Sequence, residues 1–369
     1  MTDTQANFRP PATIYDVARA AGVSIASVSR VLNGHRNPRQ ETRDAVLQAV
    51  ADLGFVPDGA ARALSARLKE VVGVVFRRPW VQTSEGVFAD EDESLQFTDV
   101  INRGIEVAAQ RRGYNLLIGS VSEDDHDARR RIMTMARKSD GLILHDQVLE
   151  PSRLSQLSQH VPVVTLAGVA TLTTANVRGD NGSGMTELAR HLIHDHRYTT
   201  LAYLAGFADS PDNIARRQAL AEEAASAGVM FIEGPQWQGN YYASGGAKVV
   251  TELLTSGSAL PQVIVCANDQ TALGVMQVLA QHGIDVPGVV AVTGFDDIPV
   301  ARHLRPQLTT IRQPIQDLGA TAFEVLRSII GNREPAHREV VLPTHLVRRA
   351  SCGCAPATRG PQGDRPEGG

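Results

Sequence analysis

From Val71 to Asp297 short apolar runs alternate with longer helical stretches, and this alternation constrains the fold more than any other feature of the chain. "VVGVVF", "NLLIGS", "GLILH", "VPVVTLAG", "TLAYLAG", "QVIVCAND" and "VVAVTGFDD" are runs dominated by Val, Ile and Leu. A strand with one wet face would alternate polar and apolar residues, so such runs predict strands buried on both faces, as in a parallel sheet covered by helices. The segments between them, among them "INRGIEVAAQRRG", "MTELARHLIHD" and "QTALGVMQVLAQHG", carry helical periodicity. The expected architecture is a doubly wound parallel α/β fold with ligands beyond the C-terminal strand ends.

The first seventy residues follow another rule. In "TIYDVARAAGVSIASVSRVLNG", Thr13 can cap a helix with Ile14, Val17, Ala18 and Ala21 on one face, and Gly22 can end it. Ser24 stands where a second helix needs a cap, and Val28, Val31 and Leu32 form that helix's inner stripe. Only Gly22 and Val23 separate the two, the layout of a helix-turn-helix. A third helix in "QETRDAVLQAVADLGFVP" would turn Val46, Ala49, Val50 and Leu53 inward and stop at Gly54. Ile25, Ala26, Ser29 and Arg30 then face outward near the start of the second helix. In a DNA reader they would enter the major groove, Arg30 suiting the O6/N7 edge of guanine and Ile25 and Ala26 the thymine methyls. An ordinary helical hairpin is the other reading of the same pattern. Beyond Pro57, "DGAARALSARLKE" could be helical but is too short to hold alone in water, which suits a switch between a head and a larger body.

Other classes are excluded by what the chain lacks. No G-x-G-x-x-G follows the first body strand, and neither a G-x-x-x-x-G-K-[ST] phosphate loop nor a G-x-S-x-G elbow occurs, so enzymatic chemistry and a cofactor are not expected. A sugar-processing enzyme with an accessory DNA-binding head lacks sequence support. There is neither a membrane-spanning run nor a signal peptide, which predicts a cytoplasmic protein. Residues 1–70 carry nine Lys/Arg against seven Asp/Glu in a chain of net charge −4, an asymmetry that permits nucleic-acid binding without demanding it. In "HLIHDH" a helix would set His191 and His194 on one face, and His196 follows, but no carboxylate or cysteine partner is evident. Cys352 and Cys354 fall in the Gly/Pro-rich "CGCAPATRGPQGDRPEGG", which predicts a disordered tail. No metal site is expected.

"ATIYDVARAAGVSIASVSRVLNG" and "TRDAVLQAVADLGFVPDGAARAL", with "VRGDNGSG", "CANDQTALG" and "VTGFDDIPVARHLRPQLTTIRQP" downstream, resemble the lactose/galactose repressor (LacI/GalR) family of bacterial transcription regulators, from about Ala12 to Arg349. The resemblance implies a helix-turn-helix head at 12–57, a hinge helix at 58–69 and a two-lobed, periplasmic-binding-protein-like (type I) effector module. Its N-lobe would span 70–178 plus 313–342 and its C-lobe 179–312 plus 343–350, with the tail at 351–369. It implies that Ile25, Ala26 and Arg30 read bases, that Tyr15, Ser24, Ser29, Asn33 and Thr42 hold the DNA backbone, and that Leu64, with Ala61, enters the minor groove. Asp58 and Arg39 depart from the family, which commonly has Asn and a small capping residue there. The cleft is implied to contain Arg216, Asn268 and Asp296, with Tyr241 as an aromatic wall. Arg, Asn and Asp can bind vicinal hydroxyls while a ring covers a sugar's apolar face. The bland alternative is that Asp269 only caps its helix and that Asp296 and Asp297 only shape a turn. The family has a His at the position of His196 for structural reasons. Ala167 replaces a polar cleft residue of many members. The loop "RRPWVQTSEGVFADEDESLQF" exceeds the family norm and carries acids from Asp90 to Glu93; an acid run is usually a solvated face, but near the cleft Trp80 or Phe97 could add a wall. The implied function is a homodimeric repressor of a near-palindromic operator, controlled by a small molecule, expected to be a sugar. The alternative is a regulator whose DNA affinity is set by a protein partner.

Overall fold

The computed structural model describes residues 12–32, 37–55, 68–77, 96–122, 127–145, 148–331 and 337–355. The chain divides into two compact units, Met1–Glu70 and Val71–Gly369.

The first unit contains α1 (Ile14–Ala21), α2 (Ile25–Leu32) and α3 (Gln40–Leu53). Thr13 and Asp16 form a reciprocal capping box at the start of α1, and the Ser24 hydroxyl accepts the Ser27 N–H at 3.2 Å at the start of α2. The tight turn between them is closed by Gly22 at φ 66°, a left-handed conformation that favours glycine. The Val23 N–H then bonds the Ala18 carbonyl at 3.0 Å. Val17, Ala18, Val28, Val31, Val46, Ala49 and Phe55 make the core. Leu53, expected inside, is 39% exposed, and Phe55 takes its place. The reason is the same motif at Gly54: the Phe55 N–H returns to the Val50 carbonyl at 3.0 Å and carries the ring inward. Arg39 gives α3 no side-chain cap.

The second unit has two six-stranded sheets. One, ordered β11-β5-β4-β3-β1-β2, comprises β1 (Val71–Arg77), β2 (Asn115–Val121), β3 (Gly141–His145), β4 (Val163–Leu166), β5 (Ala175–Gly179) and β11 (Glu339–Leu342), all parallel. Around it run α4 (Gln96–Gln110), α5 (Ala128–Lys138), α6 (Pro151–Ser158) and α11 (Ile315–Ile330). The other, ordered β12-β10-β9-β8-β6-β7, comprises β6 (Thr200–Leu204), β7 (Met230–Ile232), β8 (Val263–Cys266), β9 (Ala291–Asp296), β10 (Thr309–Arg312) and β12 (His345–Val347). Only β12 runs antiparallel to its neighbour, β10. Its helices include α7 (Asn181–Arg190), α8 (Pro211–Ser226), α9 (Ala243–Thr255) and α10 (Asp269–Gln281). Buried β3, β4, β8 and β9 confirm that the unbroken apolar runs mark strands covered on both faces.

The chain passes between the sheets after Gly179, after Arg312 and after Leu342, and the first and third of these crossings are bonded together. The Asp180 N–H reaches the Leu342 carbonyl at 2.8 Å, and the Thr344 hydroxyl reaches the Asp180 carbonyl at 2.8 Å. The expected tail differs at its beginning. Antiparallel pairing of β12 returns the chain along β10, so Ser351 and Cys352 are buried, and the Ser351 hydroxyl donates to the Val292 carbonyl at 2.6 Å. Residues 356–369 lie outside the described residues.

Candidate effector cleft and DNA-reading surface

At the C-terminal ends of the parallel strands lies a cavity of about 170 Å³. That is below the ~300–1,000 Å³ of drug-sized sites and suits one small ligand. Its lining comes from both sheets: Phe76, Arg77 and His145 end β1 and β3, and Asn268 and Asp296 follow or end β8 and β9.

Arg216 on α8 organises one wall. Although only 3% exposed, its guanidinium donates to the Asn181 side-chain oxygen at 2.7 Å, the Ala267 carbonyl at 2.7 Å and Asp212 at 3.3 Å. It lies 3.9 Å from the Asp296 carboxylate and 3.8 Å over the Phe295 ring centroid. Burial raises the Asp296 carboxyl to about 7, against the opposing pull of Arg216 and of the Gln313 amide, which donates to it at 2.7 Å. Burial also raises Asp212, and Asp269 is raised by burial and by the nearby Asp296 charge. Asp212 and Asp296 share one buried cation, and Asp296 is the group of this wall that changes protonation near neutral pH.

Another part of the lining is aromatic. Tyr241 and Tyr242 meet Phe207 edge-on at 5.6 and 5.8 Å, and the Arg77 guanidinium lies 4.7 Å over the Phe207 ring. His145 contributes a neutral imidazole, since burial lowers it to about 4, and its Nε2 finds no partner among the described residues. A buried, unsatisfied nitrogen at a cavity wall is a point for a ligand hydroxyl.

The structure thus brings Arg216, Asn268, Asp296, Tyr241 and Phe97 around one cavity, while Trp80 and Asp90 to Glu93 lie outside the described residues. Ala167 also lines it. Asn268 has a second duty: its oxygen caps α10 at the Thr271 N–H (3.0 Å) and its amide donates to the Tyr241 carbonyl (3.1 Å). Asp269 is therefore not the cap; it accepts the Ile298 N–H at 2.9 Å and the Thr310 hydroxyl. Asp297 is tied to Arg312 and Arg349. His145, Phe76, Arg77, Phe207, Tyr242 and Asp212 were missed by the sequence reading; position at a C-terminal strand end was the signal available for the first three.

Space around Gly206 sets the position of Tyr241. A Cβ there would sit 2.2 Å from the Tyr241 ring, so Gly206→Ala must displace the tyrosine from the cleft. The expected result is at least a tenfold loss of small-ligand affinity with DNA affinity unchanged, read by calorimetry and fluorescence anisotropy; ligand affinity equal to wild type would remove Tyr241 from the pocket.

In the first unit, Ile25, Ala26 and Arg30 are exposed on α2, and Tyr15 is 63% exposed on α1. Ser24 is exposed, and Ser29 and Thr42 are half-buried. Asn33, Ala61, Leu64 and Asp58 lie outside the described residues.

A model of bacterial regulatory proteins of the lacI family matches residues 13–58, and one of the periplasmic binding protein-like domain matches residues 189–352. The HTH-type transcriptional regulator GalR of Escherichia coli (strain K12) is 34% identical over 344 residues, covering 92% of this chain and 95% of that protein. The chain belongs to the LacI family. The HTH-type transcriptional repressor PurR of Vibrio parahaemolyticus is 30% identical over 343 residues, 92% of this chain and 98% of that one. The solved complex of the transcriptional regulator CelR with cellobiose matches with a TM-score of 0.65 at 27% identity, covering 93% of this chain and all of that one (100%). As a LacI-family member the chain is a DNA-binding transcription regulator and not an enzyme. No described helix is long and apolar enough to cross a membrane.

Proposed function

We propose that the protein is a repressor that binds a near-palindromic operator as a homodimer and is released from it, or held on it, by a small sugar in the cleft. The observation that carries this reading is the cavity itself: a buried Arg–Asp wall able to pair with vicinal hydroxyls, lined also by a cluster of aromatic rings. Relatives support it, since one is a named repressor and another is complexed with a sugar. Ile25, Ala26 and Arg30 read bases in the major groove, and Tyr15, Ser24, Ser29, Asn33 and Thr42 hold phosphates. Two-fold symmetry of the dimer is matched by two half-sites in the DNA. Residues 58–69, with Leu64 and Ala61 at the minor groove, couple the effector to the head. Affinity falls steeply with salt because phosphate contacts supply most of the binding energy.

In the cleft, Asp296 accepts sugar hydroxyls, Arg216 keeps the carboxylate partly ionised, and Tyr241 covers the ring's apolar face. Gln313 links this chemistry to a crossing between the sheets, because its amide holds Asp296 from the segment that follows β10. A ligand that re-pairs Asp296 thereby biases the relation of the two lobes. To act as a useful switch it must prefer one state by about a hundredfold, roughly 3 kcal/mol.

Asp296→Ala tests the assignment: DNA affinity stays within a factor of about two while the response to sugar is lost, a change of about two or three hydrogen bonds. Retention of the response would remove Asp296 from the site. A pH effect follows with a definite sign. The Asp296 carboxyl is raised from 3.8 to about 7, so its protonated form favours folding at low pH and that contribution fades as pH rises through about 7. A sugar hydroxyl donating to it selects the ionised form. Sugar affinity should therefore increase from pH 6 to pH 8 with proton release at pH 7, detected as a dependence of calorimetric heat on buffer ionisation enthalpy. Proton uptake would contradict it.

A further inference from the structure

Helical spacing pairs His191 with His194, and composition puts Cys352 and Cys354 in a tail; the structure replaces both arrangements. His191–Asp195 forms a π-helical turn at the end of α7, closed by the His196 N–H on the His191 carbonyl at 3.3 Å. That wider turn stacks residues i and i+5, so His191 faces His196, whereas His194 is exposed. An α-helical count could not foresee this. The chain end then brings two thiols to the same point, with Gly353 at φ 100° turning the backbone between them.

The Nε2 atoms of His191 and His196 are 3.1 Å apart. Cys352 Sγ lies 3.5 and 3.6 Å from them, and Cys354 Sγ lies 3.5 and 3.4 Å from them. One ligand atom from each residue lies within 4.8 Å of all the others. A tetrahedron built on Zn–S bonds of about 2.3 Å and Zn–N bonds of about 2.0–2.1 Å has edges of roughly 3.3–3.8 Å. The four nitrogen–sulfur separations fall within that range, and the nitrogen–nitrogen separation is about 0.2 Å below it. With each Nε2 unprotonated and both thiols ionised, all four ligand atoms present a lone pair within one small volume, as a metal ion requires.

We propose that His191, His196, Cys352 and Cys354 bind one zinc ion in a closed structural site, independent of the effector cleft. Two thiolates and two neutral imidazoles balance the dication and fill its four positions, which leaves no open position for catalysis. The surroundings fit. His191 Nδ1 is 2.7 Å from Asp195 Oδ2, the arrangement that orients a metal-binding imidazole, and the Thr309 hydroxyl is 3.1 Å from Cys352 Sγ. His196 stacks on Tyr198, whose hydroxyl donates to the Cys352 carbonyl at 3.1 Å. The ion would fasten the end of α7 to the segment that follows β12, across more than 150 residues of sequence.

The test is metal analysis of the full-length chain purified from zinc-supplemented cells and dialysed without chelator. About one zinc per chain is expected, with X-ray absorption showing two sulfur and two nitrogen neighbours at the distances above, a measurement on wild type that requires no variant to fold. Cys352→Ser/Cys354→Ser and His196→Asn should each lower the zinc content at least tenfold, while His194→Ala retains it. Wild type with less than a tenth of an equivalent after zinc addition, a first shell without sulfur, unchanged zinc in the double-serine variant, zinc lost by His194→Ala, or a Cys352–Cys354 disulfide in fresh protein would each overturn the proposal.

Discussion

Arg216→Met should destabilise the second unit by about 3–5 kcal/mol, because removing one partner of a buried ion pair leaves uncompensated charge. The guanidinium is the cation shared by Asp212 and Asp296, and it also ties Asn181 and the Ala267 carbonyl. Methionine keeps much of the volume and the contact with Phe295 but none of the five donors. The loss is pH-dependent. Asp212 and Asp296 already have raised pKa values from burial, and without Arg216 both rise further. Their protonated forms need no cation, so the deficit should be largest above pH 7 and shrink as pH falls toward 4. Denaturant unfolding at several pH values checks this, and a deficit that grows on acidification would contradict the shared-cation account.

The second large effect concerns DNA. Arg30→Ala should weaken operator binding by about 1–3 kcal/mol and relax selection at one base position in each half-site, the measured worth of a bidentate arginine–guanine pair. Random-sequence DNA should lose much less, since a base-edge contact forms only with its matching base, and Arg30 is exposed on α2 outside the hydrophobic core. The head should keep its stability. Equal weakening on operator and random DNA would make Arg30 a phosphate contact.

Much of the fold was legible because it rests on local rules. Thr13, Gly22 and Ser24 set helix ends by capping and backbone conformation, and Val17, Val28 and Val46 follow helical periodicity. The buried parallel strands announced themselves as Val/Ile/Leu runs, whereas three-residue β7 and β12 are too short to carry a pattern. Leu53 was misplaced because Gly54 reverses the chain and lets Phe55 substitute for it. In the cleft, the family resemblance supplied Arg216, Asn268, Asp296 and Tyr241, and the structure added the reason for their proximity. His145 was missed since a single histidine at a strand end looks like any other. The cysteine–histidine cluster was illegible for a stronger reason: it requires a π turn, which adds one residue to a helical turn, and an antiparallel return of β12 from far along the chain.

In the proposed function the head selects DNA while a ligand in the cleft decides whether it stays bound. The most direct measurement is the dissociation constant of the full-length chain for its own upstream DNA, taken with and without a panel of mono- and disaccharides, for wild type and Asp296→Ala in parallel. The account predicts that at least one sugar changes the wild-type constant by about a hundredfold or more and leaves the variant's constant within about twofold. No change in wild type with any sugar, or the same change in both proteins, would contradict it.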